Sequence, residues 1–342
     1  MLTERLDLFI KAIIQFVIIT DKRKEIIMNE TKFLEFIDVN FTYPPVEEYD
    51  ENGEVILQES KPVFDHFTAE LPAGFVSLVG PNASGKSTLM MLASARICPS
   101  SGRINLLGID TREFFPIIRV TQTKEGETQE IALPRRKEEE KNILASVIYQ
   151  NMEFETSEKV EELLKQVFEN GEFQGKTPTQ FGSENIFEKV IEVFELKEIL
   201  ERSISGISKG ELQRTLLAFS VLYGSKSIFM DEPLFAMEYP QKEKALSFLV
   251  DYSKKMDVTI YISMHELELT KKFAPLVLLF YPDRNMDLGT PDEVLTDEAL
   301  EKAYGVPASQ LRNTERLTRS QMQEASRVEK EMEEKLKEVL DK

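Results

Sequence analysis

The fold class follows from one stretch of the chain, Gly80-Pro81-Asn82-Ala83-Ser84-Gly85-Lys86-Ser87, which matches the pattern G-x-x-x-x-G-K-S/T. A short apolar run, Gly74–Val79, precedes it and predicts a buried strand, and Ser87–Ala95 has the periodicity of a helix. A glycine-rich turn between a strand and a helix lets the backbone wrap closely around an anion. The sequence therefore predicts a phosphate-binding loop at residues 80–87.

Different groups of this loop are expected to hold different parts of a nucleoside triphosphate. The amide N–H groups from Ala83 to Ser87, together with the positive end of the following helix, should bind the phosphates. Lys86 should reach the β- and γ-phosphates, and the Ser87 hydroxyl should ligate Mg²⁺. Thr88, the next residue of the helix, completes the nucleotide-binding set that we predict here.

A second apolar strand ends in two carboxylates. Ser227–Met230 is followed directly by Asp231, Glu232 and Pro233. In a chain with a phosphate-binding loop, Asp231 is expected to hold Mg²⁺ directly or through water. Glu232, one residue further, is placed to polarise the attacking water as a general base. A nucleoside triphosphate and Mg²⁺ are therefore the expected ligands of this chain, and the resemblance described below implies that the nucleotide is ATP.

The order of elements predicts an α/β fold with a mainly parallel sheet. Two strand-like runs, Ser227–Met230 and Val258–Met264, flank a helical stretch at Gln241–Tyr252, and this alternation is typical of a parallel sheet with helices on both faces. Nearer the start, Phe33–Tyr43 has strand character, and Asn52-Gly53 predicts a hairpin turn.

Composition and charge limit the classes of function. The 342 residues are 42% hydrophobic and 30% charged, which is typical of a globular chain with a sizeable core. The net charge of −18 should repel a phosphate backbone, so nucleic acid is not an expected partner. Cys98 is the single cysteine, which excludes an intramolecular disulfide and indicates a reducing compartment.

Three segments carry none of these motifs. Residues 1–28 form an extension whose apolar stretch, Leu6–Thr20, is shorter than a membrane-spanning helix and lacks a signal cleavage site. It is an amphipathic helix on a membrane or partner, an extra packed helix, or an untranslated extension if synthesis starts at Met28. Residues 112–145 indicate an exposed, charged insertion. Residues 307–342 indicate a charged helix that packs on its own domain or docks on a partner.

Further motifs follow in the order found in one family. The chain from about residue 33 to 306 resembles the ABC ATPases, the nucleotide-binding subunits of ABC transporters. This resemblance implies that Tyr43 stacks on adenine and that Gln150 reaches Mg²⁺ and the attacking water. It also implies an ABC ATPase domain at residues 29–306, with a P-loop core, an antiparallel β subdomain and a helical subdomain at about 153–222.

Residues 204–214 match the ABC signature, with Ile-Ser-Lys-Gly-Glu in place of the commoner Leu-Ser-Gly-Gly-Gln. The resemblance implies that Ser208, Gly210 and Glu211, at the start of a helix, contact a γ-phosphate held by the loop of another copy. The same residues also fit an ordinary helix start, in which Ser208 and Glu211 form a capping box. The expected working unit is therefore a head-to-tail pair, formed with a second copy or a homologous cassette.

Two further motifs follow the acidic pair. Residues 234–238 occupy the position of the family's D-loop, where Phe235 replaces a small polar residue and Glu238 keeps the acid. His265 matches the switch histidine, which is expected at a strand end near the γ-phosphate, whereas His66 is interpreted as incidental. The predicted catalytic residues are Glu232, His265 and Gln150. The predicted metal ligands are Ser87, Gln150 and Asp231.

The end of the cassette narrows the resemblance. Gly289–Thr296 and Glu301–Val306, with His265–Leu269, look like the ATPases of iron-siderophore and cobalamin importers. This implies a subunit at the cytoplasmic face of a membrane that energises a separate permease and imports a metal chelate or similar small solute. An exporter, a soluble machine with no transport role and an ATP-gated scaffold remain open alternatives.

Overall fold

The computed structural model describes residues 32–49, 55–58, 60–116, 119–124, 127–132, 135–150, 152, 154–315 and 317. The predicted N-terminal extension lies outside the described residues. So do the predicted turn at Asn52-Gly53 and the apolar positions of the predicted terminal helix beyond residue 317.

Six strands form the central sheet, in the order β10 (Ala145–Ile148), β11 (Ser227–Met230), β12 (Thr259–Ser263), β5 (Phe75–Val79), β13 (Leu276–Phe280) and β14 (Met286–Gly289). The first five are parallel and β14 is antiparallel to β13. Strands β5, β11 and β12 are buried over their whole lengths, as expected for a parallel sheet covered on both faces. The register aligns Ile148, Met230 and Ile262, so the residues that follow them emerge at one edge of the sheet.

Four strands form a separate antiparallel sheet, in the order β4 (Phe64–Leu71), β1 (Leu34–Phe41), β6 (Ser101–Leu106) and β7 (Ile109–Asp110). Two antiparallel ribbons complete the strands: β2 (Val46–Tyr49) with β3 (Val55–Gln58), and β8 (Arg119–Lys124) with β9 (Glu127–Ala132). The first ribbon flanks the predicted Asn52-Gly53 turn. The second lies within residues 112–145.

The helices are α1 (Lys86–Ala93), α2 (Glu138–Leu144), α3 (Val160–Asn170), α4 (Ile186–Val193), α5 (Lys209–Tyr223), α6 (Tyr239–Met256), α7 (Leu267–Phe273), α8 (Pro291–Val294) and α9 (Asp297–Tyr304). Residues 308–315 are also helical. Short 3₁₀ turns occur at Thr111–Phe114, Thr179–Phe181, Lys197–Ile199 and Ile204–Gly206. None of the helices in the described part of the chain is long and apolar enough to cross a lipid bilayer.

Alternation along the central strands divides the apolar interior into two cores. Phe229 of β11 packs in the core shared with the antiparallel sheet, whereas its neighbours Ile228 and Met230 pack in the core shared with the helices. Successive side chains of a strand point to opposite faces. The central sheet therefore contributes side chains both to the core with the antiparallel sheet and to the core with the helices. The predicted fold class is confirmed: an α/β core with a mainly parallel sheet, an antiparallel β layer and a helical region.

Candidate functional site

The phosphate-loop sequence folds into a tight turn between β5 and α1. Gly80 has a φ of 147°, and a Cβ atom there would lie 2.8 Å from the carbonyl oxygen of Phe280. Gly85 has a φ of 106° and Ala83 a φ of 59°, so both lie in the left-handed region. Glycine is therefore required at position 80 both by its conformation and by the close approach of β13.

Lys86 is buried inside this loop. Its Nζ donates to the carbonyl oxygens of Gly80 and Pro81, each at 2.8 Å. Burial lowers the pKa of the ammonium, and the carboxylates of Asp231 and Glu232 raise it in opposition. The two acidic residues therefore lie within electrostatic reach of the loop lysine. The structure thus brings the two halves of the predicted triphosphate site together.

The hydroxyl groups of the loop are placed differently. Ser84 is buried, and its Oγ has no hydrogen-bond partner among the described residues, which leaves a polar atom for a ligand to satisfy. Ser87 is exposed at the start of α1. Thr88 is buried, and its hydroxyl lies 3.0 Å from the hydroxyl of Tyr43.

Tyr43 lies beside the helix that begins in the loop. Its ring packs edge-on against Phe41, with 4.9 Å between the ring centroids, and 37% of the residue remains exposed. The bond to Thr88 and the contact with Phe41 fix the ring in place. A partly exposed, fixed aromatic ring next to a phosphate loop fits a base-stacking role, because stacking needs an accessible ring held at low entropy cost.

Ser263, the last residue of β12, holds the acidic pair. Its hydroxyl donates to Asp231 Oδ1 at 2.6 Å and accepts the Glu232 backbone N–H at 2.8 Å. Glu232 has a φ of 48°, in the left-handed region that residues other than glycine rarely adopt. Such a backbone costs of the order of 1 kcal/mol and persists where surrounding contacts hold it.

The three predicted catalytic residues contact one another. Gln150 Nε2 donates to Glu232 Oε2 at 3.0 Å. His265 Nε2 lies 2.6 Å from Glu232 Oε1. Both carboxylate oxygens are therefore held by side chains from neighbouring strand ends. The contact follows from the parallel register of β10, β11 and β12, which brings the ends of these strands to one edge.

The predicted metal ligands have the chemistry that Mg²⁺ prefers. Ser87, Gln150 and Asp231 offer a hydroxyl, an amide and a carboxylate oxygen, and Mg²⁺ in nucleotide sites is held by one or two carboxylates together with phosphates and water. Asp231 uses only Oδ1 in its bond with Ser263. Within the described residues, no group of three or more His, Cys, Asp or Glu side chains is placed to hold a metal ion. The oxygen donors of Ser87, Gln150 and Asp231 have the chemistry of a Mg²⁺ site in which phosphates and water supply the other ligands.

The signature residues form the predicted capping box at the start of α5. Ser208 Oγ accepts the Glu211 N–H at 3.3 Å, and Glu211 Oε2 accepts the Ser208 N–H at 2.7 Å. Burial raises the pKa of Glu211, but the Ser208 N–H and hydroxyl and the Arg202 guanidinium lower it, and the net shift is downward. Ser208 is exposed, so this helix start is open to a partner.

Gly210 is required by contact with the D-loop of the same chain. A Cβ atom at this position would lie 2.5 Å from the carbonyl oxygen of Ala236. Ala236 itself has a φ of 63°, while its neighbours Leu234 and Met237 are buried. Phe235 is 54% exposed. The D-loop backbone thus presses on the signature helix, and its aromatic residue faces outward.

No hydrogen bond or ion pair among the described residues joins Ser208, Gly210 or Glu211 to the phosphate loop. The structure therefore brings together the loop, the acidic pair, Gln150 and His265. None of the hydrogen bonds or ion pairs of the described residues links the signature residues to that group.

Two positioning residues were not predicted from the sequence. Ser263 gives a weak signal, as a polar residue that ends an otherwise apolar strand two positions before His265. Arg284 gives none: its Nη1 donates to the carbonyl oxygen of Ala83 at 2.8 Å, although the two residues are 201 positions apart. Arg284 lies in the turn after β13, and this contact helps to hold Ala83 in its left-handed conformation.

Comparisons with known proteins agree with the fold described above. A family model described as "ABC transporter" matches residues 65–235, which is half of the chain. A cobalamin import ATP-binding protein, BtuD, of Halobacterium salinarum is 24% identical over 71% of this chain and 55% of its own length. The chain thus spans about half the length of that relative. A hemin import ATP-binding protein, HmuV, of Rhodopseudomonas palustris is 24% identical over 71% of this chain and 84% of its own length.

A solved structure shares the fold. The dimeric ATP-binding cassette MJ0796, in a post-hydrolysis state with ADP and Pi, superposes with a TM-score of 0.54 at 16% identity, over 76% of this chain and 99% of its own. At this identity the likeness concerns the fold alone.

Proposed function

Because this chain belongs to the ABC transporter family, we propose that it binds ATP at residues 80–88 and hydrolyses it with Glu232, His265 and Gln150. One observation carries the proposal: the side chains of Gln150 and His265 both hold the Glu232 carboxylate, at 3.0 and 2.6 Å. A general base is effective only when it is held in reach of the proton that it takes.

The chemistry follows from the groups in place. A water oxygen forms a bond to the γ-phosphorus, the bond from that phosphorus to the bridging oxygen of ADP breaks, and a proton passes from the water to Glu232. Gln150 and His265 keep the carboxylate oriented. Lys86, which now donates to two loop carbonyls, exchanges them for phosphate oxygens, and the loop N–H groups bind the remaining charge.

Mg²⁺ would be held by Ser87, Asp231 and Gln150, and it would supply positive charge against the phosphates. The hydroxyl of Ser263 orients Asp231 for this role, because it fixes one carboxylate oxygen by a bond of 2.6 Å.

The signature residues serve a nucleotide on a second copy. Ser208 is exposed and already ordered by its capping box, and the start of α5 carries N–H groups that favour an anion. A head-to-tail pair would close two nucleotides between the loops and the signatures of two copies, or of this chain and a homologous cassette.

The transport role rests on the relatives. Two are named as import ATP-binding proteins, for cobalamin and for hemin, and both of these compounds are metal chelates. We infer that this chain energises a separate membrane permease from its cytoplasmic face and serves the import of a metal chelate or similar small solute.

The first test is steady-state turnover of purified protein with Mg·ATP and with ATP plus a chelator. Metal-dependent turnover supports the proposal, and ATP binding without turnover would instead make the chain an ATP-gated scaffold. The second test is purification of tagged chain from detergent-solubilised membranes. An integral membrane protein that copurifies in fixed ratio supports the transport role, and a chain with turnover and no such partner would be a soluble machine.

A further inference from the structure

The helix at residues 308–315 reaches the element that follows the switch histidine. Glu315 Oε1 accepts a hydrogen bond from the backbone N–H of Glu268 at 3.1 Å. Glu268 lies in the first turn of α7, three residues after His265. The N–H groups of a first turn have no partner within their own helix. Glu315 therefore supplies from a distant part of the chain an acceptor that α7 lacks.

The residue that would ordinarily provide this acceptor is engaged elsewhere. Glu266 precedes α7 and makes no side-chain hydrogen bond to its first turn. Its carboxylate instead pairs with Lys242 of α6, whose side chain is only 6% exposed. The segment from His265 to Glu268 is thus held by α6 through Glu266, and by the helix at residues 308–315, here called the C-terminal helix, through Glu315.

The C-terminal helix is anchored well enough to hold its neighbour. The N–H of Ala308 donates to Glu301 Oε1 at 3.1 Å, and Arg312 forms an ion pair with Asp297. Leu311 packs against the core shared with the helices. Both acids belong to α9, so α9 and the C-terminal helix form one packed unit.

The surroundings of Glu315 disfavour a charged carboxylate. Burial raises its pKa, the Glu268 N–H lowers it, and the carboxylates of Glu268 and Glu266 raise it further, so that the net shift is upward. Burying a carboxylate costs free energy, so an apolar side chain at position 315 would make the fold more stable if the acid made no useful contact. The bond to α7 is the contact that accounts for an acid here.

We propose that Glu315 is a positioning residue for His265. It fixes the first turn of α7, and with it the segment from which the imidazole reaches Glu232 at 2.6 Å. The inference rests on the proposed function, because His265 has a catalytic role only if the chain hydrolyses ATP. Glu315 lies outside the matched residues 65–235, so the contact is not part of the family model.

The test compares three variants of the full chain. Glu315→Ala removes the acceptor, Glu315→Gln keeps an acceptor oxygen without the charge, and Asp251→Ala removes an exposed carboxylate of α6 as the matched control. We expect Glu315→Ala to lower kcat about tenfold, because small displacements of catalytic groups are costly. KM for ATP should stay within about twofold, since the loop at residues 80–88 is untouched.

Glu315→Gln should have a kcat within about threefold of the wild-type value. The control Asp251→Ala should have the wild-type kcat. An unchanged kcat in Glu315→Ala, an equal loss in the control, or a glutamine variant as slow as the alanine variant would overturn the inference.

Backbone hydrogen exchange over residues 266–270 tests the contact without any need for turnover. Loss of a helix-capping acceptor should make Glu315→Ala exchange about tenfold faster in this peptide, and Glu315→Gln should stay near the wild type. Equal exchange in the alanine variant and the wild type would show that Glu315 does not hold α7. Absence of turnover in the wild type would instead refute the proposed function, while the exchange result still decides the contact.

Discussion

The proposed catalytic cluster, made of Glu232, Asp231, Gln150, His265 and Lys86, differs from the signature helix in how many of its polar groups are bonded within one chain. In the cluster, both oxygens of Glu232 are bonded to side chains, Asp231 is bonded to Ser263, and Lys86 donates to two carbonyls. In the signature, the exposed Ser208 is bonded to Glu211 within its own helix start.

This difference teaches which part of the proposed site is complete in a single copy. In the cluster, the proposed base Glu232 is in hydrogen-bond contact with Gln150 and His265, and Lys86 lies within electrostatic reach of Asp231 and Glu232. The signature is already ordered by its capping box, but no hydrogen bond or ion pair among the described residues joins it to the phosphate loop. An ordered, exposed helix start is suited to an anion that another molecule brings.

The largest effect is expected from Glu232→Gln. The amide keeps the shape of the side chain but cannot take a proton, so turnover should fall about 10³-fold. ATP affinity should stay within about threefold, and a closed dimer should accumulate in size-exclusion chromatography with Mg·ATP. Glu298→Gln, at an exposed position of α9, is the matched control. Normal turnover of the Glu232 variant would remove this residue from the mechanism.

A mixing experiment tests whether the two regions act across copies. Lys86→Ala and Ser208→Arg should each lower turnover about 100-fold when pure, because each spoils both sites of a symmetric pair. A mixed pair keeps one intact site, made from the wild-type loop of one copy and the wild-type signature of the other. An equimolar mixture should therefore recover about a quarter of wild-type turnover. A mixture no faster than its parts would break the two-copy model, as would full-speed turnover by strictly monomeric protein.

Tyr43→Ala should weaken ATP binding about tenfold through the loss of base stacking. Tyr43→Phe keeps the ring and loses only the bond to the Thr88 hydroxyl, so its Kd should stay within about threefold. Calorimetric titration with a non-hydrolysable ATP analogue measures both. Equal affinities in the alanine variant and the wild type would place adenine elsewhere.

The smallest effect concerns the capping box. The pKa of Glu211 is lowered in the folded chain, so the ionised carboxylate stabilises the fold above about pH 4.5, and this contribution is lost as the pH falls below that value. Glu211→Gln should lower the free energy of unfolding by about 0.5–1 kcal/mol at pH 7. The difference should shrink at pH 4. Urea denaturation at the two pH values measures it, and a loss that grows in acid would contradict the assignment.

Several features could be predicted from adjacent residues alone. The turn at residues 80–87, the carboxylates after β11 and the capping box of α5 depend on neighbours within a few positions of the chain. Their glycines, apolar runs and hydrogen-bonding side chains act on neighbouring residues, so these features can be predicted from the local sequence.

Other features depended on contacts between remote segments. The family resemblance assigned roles to Gln150 and His265, but their contact with Glu232 arises from the register of three parallel strands. The support of Ala83 by Arg284, the bond of Glu315 to α7 and the close approach of Ala236 to Gly210 had no local signal. Each rests on a side chain or carbonyl brought from a distant element.

The sequence by itself determined the phosphate loop, the acidic pair and the α/β class, because hydrogen-bonding pattern and apolar periodicity are properties of neighbouring residues. Only the tertiary structure decided which side chains hold Glu232 and which backbone presses on Gly210, because those contacts exist only once strands and helices have packed.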